Sequence, residues 1–101
     1  MREEQFGPVV PILKYSELED AIERANDTRY GLSGSVWTND IERGKEIAAR
    51  LEVGTAWVNQ HRATSAFVPF GGAKESGYGR QYSILGLKGY MEPEVVSVAK
   101  G

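Results

Sequence analysis

Apolar residues recur along the first third of the chain with two different periods, which predict a strand followed by a helix. Residues Val9 to Tyr15 cluster valine, isoleucine and leucine and predict a strand, in which Pro11 favours an edge position or a bulge because it lacks an amide hydrogen. The helix is predicted to begin with Ser16 as its N-cap and Glu19 completing a capping box. It ends at Asn26 and Asp27. Its apolar face, at helical spacing, consists of Leu18, Ala21, Ile22 and Ala25.

The middle of the chain repeats this alternation of strand and helix. Residues Ser33 to Thr38 predict a short strand, and Asn39 or Asp40 caps a second helix that Gly54 follows as a stop signal. Residues Thr55 to Asn59 predict a third strand. The buried side of the helix is predicted to hold Ile41, Ile47, Ala48 and Leu51. The period of two separates Ala56 and Val58 from Thr55, Trp57 and Asn59 on the opposite face of the strand.

The last third of the chain is less regular. A long loop is predicted from Gln60 to Arg80, then a short helix within Gln81 to Tyr90 and a final strand from Val95 to Ala99. Strands that alternate with helices favour right-handed crossovers and a parallel sheet covered by helices. The predicted fold class is therefore α/β, a three-layer βαβαβ parallel sheet with flanking helices, a long Gly-rich loop, a short helix and a C-terminal strand, all within a single domain over residues 1–101.

Composition and charge exclude several classes of function for this chain. The chain has 101 residues, 41% hydrophobic and 26% charged, with a formal net charge of −2, which is ordinary for a globular domain. Its acidic balance and the lack of a basic patch with aromatic residues argue against nucleic-acid binding, and no apolar run reaches the roughly 20 residues of a membrane span. The chain has no cysteine, which excludes disulfides, zinc–thiolate sites and thiol nucleophiles and fits a cytoplasmic location.

The residues that carry chemistry do not form a complete catalytic set. His61 is the only histidine and has no neighbour at metal-ligand spacing, so no metal site is predicted. Neither Ser65 nor Ser76 lies in the Gly-x-Ser-x-Gly pattern of a serine hydrolase. The segment PFGGAKESGYGR, residues 69–80, is rich in glycine but matches neither common nucleotide-binding pattern.

Five segments, met in this order, carry a resemblance to a known family. They are EEQFGPVVPI, YGLSGSVWT, GTAWVNQH, PFGGAKESGYGR and GYMEPEVVSV. Their order and spacing resemble the C-terminal part of an NAD(P)-dependent aldehyde dehydrogenase across essentially the whole chain. The resemblance implies oxidation of aldehydes to carboxylic acids with reduction of NAD or NADP. It also implies that the nucleophilic cysteine and the dinucleotide domain lie upstream, so that this chain alone is inactive and binds no cofactor.

The resemblance implies roles for single residues. Glu4 matches the carboxylate that binds the nicotinamide-ribose hydroxyls, and Phe6 matches the aromatic residue beside the nicotinamide ring. The aldehyde tunnel would be lined by Phe70, Asn59, His61, Arg62 and Thr64, and Arg62 would favour negatively charged substrates. Residues 95–100 match an oligomerisation strand, which implies a homo-oligomer. Two residues depart from the family pattern: Gln81, where glutamate is common, and Glu94, where a cation is common.

Two other functions fit the residues by themselves. The chain is also consistent with a stand-alone, non-catalytic remnant that binds or assembles with a partner. A small nucleotide-binding module that uses the Gly-rich loop is the third alternative. For the isolated chain we expect no NAD binding, because most of the cofactor surface would lie elsewhere.

Overall fold

The computed structural model describes residues 3–101, which form three helices and four short strands. The predicted α/β class is confirmed. In chain order the elements are α1 (Leu18–Asn26), β1 (Tyr30–Gly31), β2 (Ser33–Val36), α2 (Ile41–Ala48), β3 (Thr55–Val58), β4 (Ala73–Lys74) and α3 (Ser83–Lys88). None of these helices is long and apolar enough to cross a membrane.

The unit β2–α2–β3 forms the centre of the fold, as the sequence pattern predicts. β2 and β3 pair in parallel, with Ser35 opposite Trp57. Asp40 is the N-cap of α2, and its carboxylate accepts a hydrogen bond of 3.0 Å from the backbone nitrogen of Arg43. A Cβ added at Gly44 would lie 2.8 Å from Val58 Cγ1. The helix therefore lies directly on the face of β3 that carries Val58, and only glycine permits this approach.

Helix α1 begins without the predicted capping box. Glu17 is the N-cap and makes no side-chain cap hydrogen bond, so the prediction of Ser16 and Glu19 as a pair is wrong. Glu19 instead binds the guanidinium of Arg50, two residues after the end of α2, with one contact of 2.9 Å. This hydrogen bond holds the pKa of the Glu19 carboxyl below its usual value. The predicted end of α1 at Asn26 is confirmed.

The segment predicted as a long loop contains regular structure. β4 lies inside it and pairs antiparallel with β1, which the sequence pattern did not predict. Phe70 and Gln81 exchange backbone hydrogen bonds of 2.9 and 2.7 Å. The prediction of an irregular loop over residues 60–80 is therefore wrong for its second half.

Both predicted terminal strands are absent from the described chain. Residues 9–15 and 95–99 have no regular structure, and their apolar side chains are exposed, with Ile12 at 94% and Val95 at 87%. The parallel sheet therefore has two strands in the described residues, where the sequence pattern predicts three. A strand needs a neighbour to pair its backbone groups, and among residues 3–101 none forms a strand with either segment.

The core of the described residues is small. Ile22, Ala48 and Trp57 are its buried hydrophobic side chains, one each from α1, α2 and β3. The radius of gyration is 18.5 Å, whereas a compact domain of this length has about 13 Å. The described chain is correspondingly elongated, with extents of 70 × 33 × 24 Å, and its terminal segments leave much apolar surface without a covering element.

Candidate functional site

The carboxyl end of the β2–β3 pair positions the predicted tunnel residues. Asn59 follows β3 directly, and its backbone nitrogen donates to the Val36 carbonyl at 2.8 Å. Its side chain accepts from the Thr38 nitrogen at 2.8 Å and donates to the Thr38 oxygen at 2.7 Å. The left-handed backbone at φ 54° is one that asparagine tolerates well. Asn59 therefore fixes the point at which the chain leaves the sheet.

His61 folds back onto the sheet face opposite α2. Its Nδ1 lies 2.7 Å from the hydroxyl of Ser35, with which it shares a hydrogen bond. Its ring meets the ring of Trp57 edge-on, at 5.3 Å between centroids and 72° between planes. The indole nitrogen of Trp57 donates to the Ala63 carbonyl at 3.0 Å. We call residues 59–64 the mouth loop; it is attached to the sheet through Asn59, His61 and Ala63.

Arg62 and Thr64 are exposed, like the rest of the mouth loop. Arg62 has φ 59°, a conformation that costs a non-glycine residue about 1–2 kcal/mol. In the part of the chain that the structure describes, its guanidinium has no ion-pair partner. The fixed attachments on either side of Arg62 hold this backbone conformation.

Phe70 lies apart from the other predicted tunnel residues. It lines a groove of about 530 Å³ together with Leu32, Leu85 and Tyr90, and none of the mouth-loop residues lines that groove. The structure therefore brings Asn59 and His61 together at one edge and places Phe70 elsewhere. Gln81, one of the two departures from the family pattern, pairs with Phe70 through its main chain.

The Gly-rich segment uses its polar side chains to hold the fold together. The Lys74 ammonium donates to the carbonyls of Asn26 and Thr28 at 2.7 and 3.1 Å and pairs with Glu52 at 2.6 Å. Arg80 donates to two carbonyls within the segment, those of Gly72 and Gly79. Because both cations are engaged with the chain itself, these contacts argue against a phosphate-binding role for the segment.

The two predicted cofactor contacts lie in the exposed N-terminal segment. Phe6 is 97% exposed. Glu4 lines a groove of about 550 Å³ with Tyr30, Glu75 and Ser76, so it lies beside β1 and the Gly-rich segment. Another groove, of about 740 Å³, separates α1 from β2 and α2 and contains none of the predicted site residues. Within residues 3–101, no cluster of three or more histidine, aspartate or glutamate side chains could hold a metal ion.

Ser35 and Trp57 are the site residues that sequence reasoning missed. Ser35 lies 26 residues before its partner His61, and the period of two places Trp57 only on the face of β3 opposite Val58. The signal that would have found them is the parallel register, which places Ser35 beside Trp57. That register follows from the predicted crossover only once the strand ends are known to within one residue.

Polar residues beyond the carboxyl ends of parallel strands are typical of ligand-binding α/β domains. Comparison with known proteins gives the family: the model of the "Aldehyde dehydrogenase family" matches residues 1–96. This chain belongs to the aldehyde dehydrogenase family, as the resemblance implied.

Curated relatives match over most of this chain but over little of their own length. A betaine aldehyde dehydrogenase from Bacillus subtilis (strain 168) is 48% identical over 92 residues, which are 91% of this chain and 19% of the relative. Aldehyde dehydrogenase 1A1 from Oryctolagus cuniculus is 46% identical over 97 residues, 96% of this chain and 20% of the relative. The chain therefore spans about a fifth of the length of the curated relatives it matches.

Solved structures give the same result for the fold. A succinic semialdehyde dehydrogenase from Streptococcus pyogenes in complex with NADP+ superposes with a TM-score of 0.89 at 39% identity, covering 98% of this chain and 22% of that one. A betaine aldehyde dehydrogenase from Staphylococcus aureus in complex with NAD+ has a TM-score of 0.86 at 36% identity, with 99% and 22% coverage.

Proposed function

We propose that this chain supplies the C-terminal part of the catalytic domain of an NAD(P)-dependent aldehyde dehydrogenase, which oxidises an aldehyde to a carboxylic acid. The observation that carries the proposal is the position of the mouth loop. Asn59, His61, Arg62 and Thr64 follow the carboxyl end of β3 in a parallel pair, the edge at which α/β domains bind ligands. Family membership and relatives solved with NAD+ or NADP+ support it.

The N-terminal segment fits a nicotinamide cofactor in its chemistry. A carboxylate such as Glu4 accepts strong hydrogen bonds from two ribose hydroxyls, and an aromatic ring such as Phe6 packs against a planar heterocycle. Both side chains are exposed and available for such contacts. The cofactor would supply the hydride acceptor. Glu4 would fix the ribose, and Phe6 would limit which face of the nicotinamide meets the substrate.

The chain by itself lacks the nucleophile that the proposed reaction needs. It has no cysteine, and the family's reaction as implied above proceeds through a cysteine thiolate. We therefore propose that the chain acts only as part of a longer protein, to which it contributes the ribose contact, a wall of the tunnel and a subunit contact. The exposed apolar residues 9–15 support a third strand that pairs with the sheet in that longer protein.

Replacing Glu4 by glutamine tests the cofactor contact. In a protein of the relatives' full length that carries this segment, we expect Glu4→Gln to lower kcat/KM for the cofactor roughly 10-fold to 100-fold, because a charged acceptor is lost. The reduction of NAD+ or NADP+ is followed by absorbance. Glu3→Gln, which removes the adjacent carboxylate, is the matched control and should change little. Equal effects of the two substitutions would contradict the assigned role of Glu4.

The exposed valines near the C-terminus support self-association. Val95, Val96 and Val98 are 81–87% exposed, and an apolar segment with unpaired backbone groups pairs readily with another strand. We expect sedimentation velocity over a concentration series to detect a homo-oligomer, and Val96→Lys to weaken it. Tyr78→Lys adds the same charge at an exposed position outside both terminal segments and should leave the association unchanged. A purely monomeric wild-type chain would refute this proposal.

A further inference from the structure

The mouth loop is held to the sheet at three points, which leaves one cationic side chain between fixed neighbours. The side-chain amide of Asn59 accepts a hydrogen bond from the Thr38 backbone nitrogen and donates one to the Thr38 backbone oxygen. His61 binds Ser35, and the Ala63 carbonyl accepts from the indole of Trp57. Arg62 lies between His61 and Ala63 and supplies this cationic side chain.

The backbone of Arg62 is strained in a way that its neighbours maintain. A positive φ at a residue other than glycine or asparagine persists when the surrounding structure determines it, and such strain concentrates at binding sites. Arg62 is exposed and has φ 59°. The hydrogen bond and ring contact of His61 fix the preceding residue. The backbone position from which the Arg62 side chain extends is therefore set by Ser35 and Trp57 through His61.

The charge of Arg62 is not used within the described chain, where it forms no ion pair. A guanidinium presents two parallel N–H groups that match the two oxygens of a carboxylate. Its single positive charge balances one carboxylate, whereas a phosphate group carries about −1.5 to −2 at neutral pH. The chemistry therefore favours a carboxylate as the group that Arg62 recognises.

We propose that the mouth loop selects aldehydes that carry a second, carboxylate end, with Arg62 as the binding residue and Ser35 as a positioning residue that acts through His61. This inference rests on the proposed function, and it adds a substrate class and a specificity mechanism. The aldehyde end enters the tunnel, and the carboxylate stays at the mouth beside Arg62. A neutral aldehyde of the same length makes no use of Arg62.

The substrate test compares succinic semialdehyde with butanal, which have the same number of carbon atoms, in a protein of the relatives' length that carries this segment. We expect kcat/KM to favour succinic semialdehyde. Arg62→Asn, which retains a residue that tolerates positive φ, should lower that value about tenfold and leave butanal oxidation nearly unchanged. Lys45→Gln removes an equal charge from the exposed side of α2 and should preserve the preference.

The outcomes separate the two proposals. If the wild-type protein oxidises neither aldehyde, the proposed function fails and the substrate inference fails with it. If the protein oxidises both equally well, the function stands and the inference is wrong. An equal loss on both substrates in an Arg62→Asn protein whose circular dichroism matches the wild type also overturns the inference.

The NMR signals of His61 test the positioning role of Ser35. His61 is the only histidine of the chain, so its imidazole gives a single set of nitrogen NMR resonances. We expect one tautomer in the wild-type chain, a mixture in Ser35→Ala, and recovery in Ser35→Thr, which restores a hydroxyl. In the longer protein, Ser35→Ala should reduce the preference for succinic semialdehyde and Ser35→Thr should restore it. Identical His61 spectra in all three chains would refute the role of Ser35.

Discussion

Replacing Gly54 by alanine is expected to separate the Gly-rich segment from the sheet. A Cβ at this position would lie 1.6 Å from the carbonyl oxygen of Gly71 and 2.7 Å from its carbonyl carbon, distances that no rotamer can relieve because both atoms belong to the main chain. We expect a loss of about 3 kcal/mol or more in the free energy of unfolding. Urea-induced unfolding measures this loss, and proteolysis within residues 70–80 reports the local separation.

Gly7→Ala is the matched control for this substitution. A Cβ at Gly7 would meet no atom within 4 Å, so we expect its effect to remain within about 0.5 kcal/mol. The same small effect for Gly54→Ala would mean that the two main chains do not touch, and the described packing of the Gly-rich segment would be incorrect.

Replacing Trp57 by alanine is expected to cause the second large loss of stability. Its side chain is 6% exposed, so Trp57→Ala should lower the free energy of unfolding by about 3–5 kcal/mol. Trp57→Phe retains a ring against His61 and loses the hydrogen bond to Ala63, which by itself costs about 1 kcal/mol. Circular dichroism during thermal or urea unfolding measures both variants.

Trp37 provides an internal comparison for Trp57. It directly follows β2 and is 69% exposed, so Trp37→Ala should change the free energy of unfolding by no more than about 0.5 kcal/mol. If both substitutions cost the same, burial does not explain the role of Trp57. The attachment of the mouth loop through the indole would then lose its support.

The sequence predicts the centre of the fold well because its signals there are local. The cap residue Asp40 lies three positions before the amide that it accepts from, and β2, α2 and β3 follow each other directly. The short strands β1 and β4 depend on a pairing between Tyr30 and Lys74. Two-residue strands have no period to detect, so this pairing could not be predicted.

In the terminal segments, the sequence pattern predicts strands that the structure does not contain. Residues 9–15 and 95–99 have the composition of strands, but a strand also requires a partner that local composition does not supply. The exposed valines and isoleucine of these segments reflect this missing partner. Composition therefore predicts where a strand is possible, and the surrounding structure decides whether it forms.

The tunnel roles in the candidate site come from the resemblance and stay predictions, and the contacts within the site could not be predicted from the sequence. The resemblance assigns Asn59 and His61, and the structure places both at the carboxyl edge of the sheet. It assigns no role to Ser35 or Trp57. Their contribution depends on a fold-back of the chain after β3, which begins at the left-handed conformation of Asn59 and has no periodic signature.

The pair of tryptophans has a practical consequence for optical measurements. Trp57 is buried beneath the mouth loop, and Trp37 faces solvent. An indole in apolar surroundings emits at shorter wavelengths than a hydrated one, so the two side chains contribute separable components to the intrinsic fluorescence. The chain thus contains its own reporter of loop docking, and Trp37→Phe isolates that signal without an added dye.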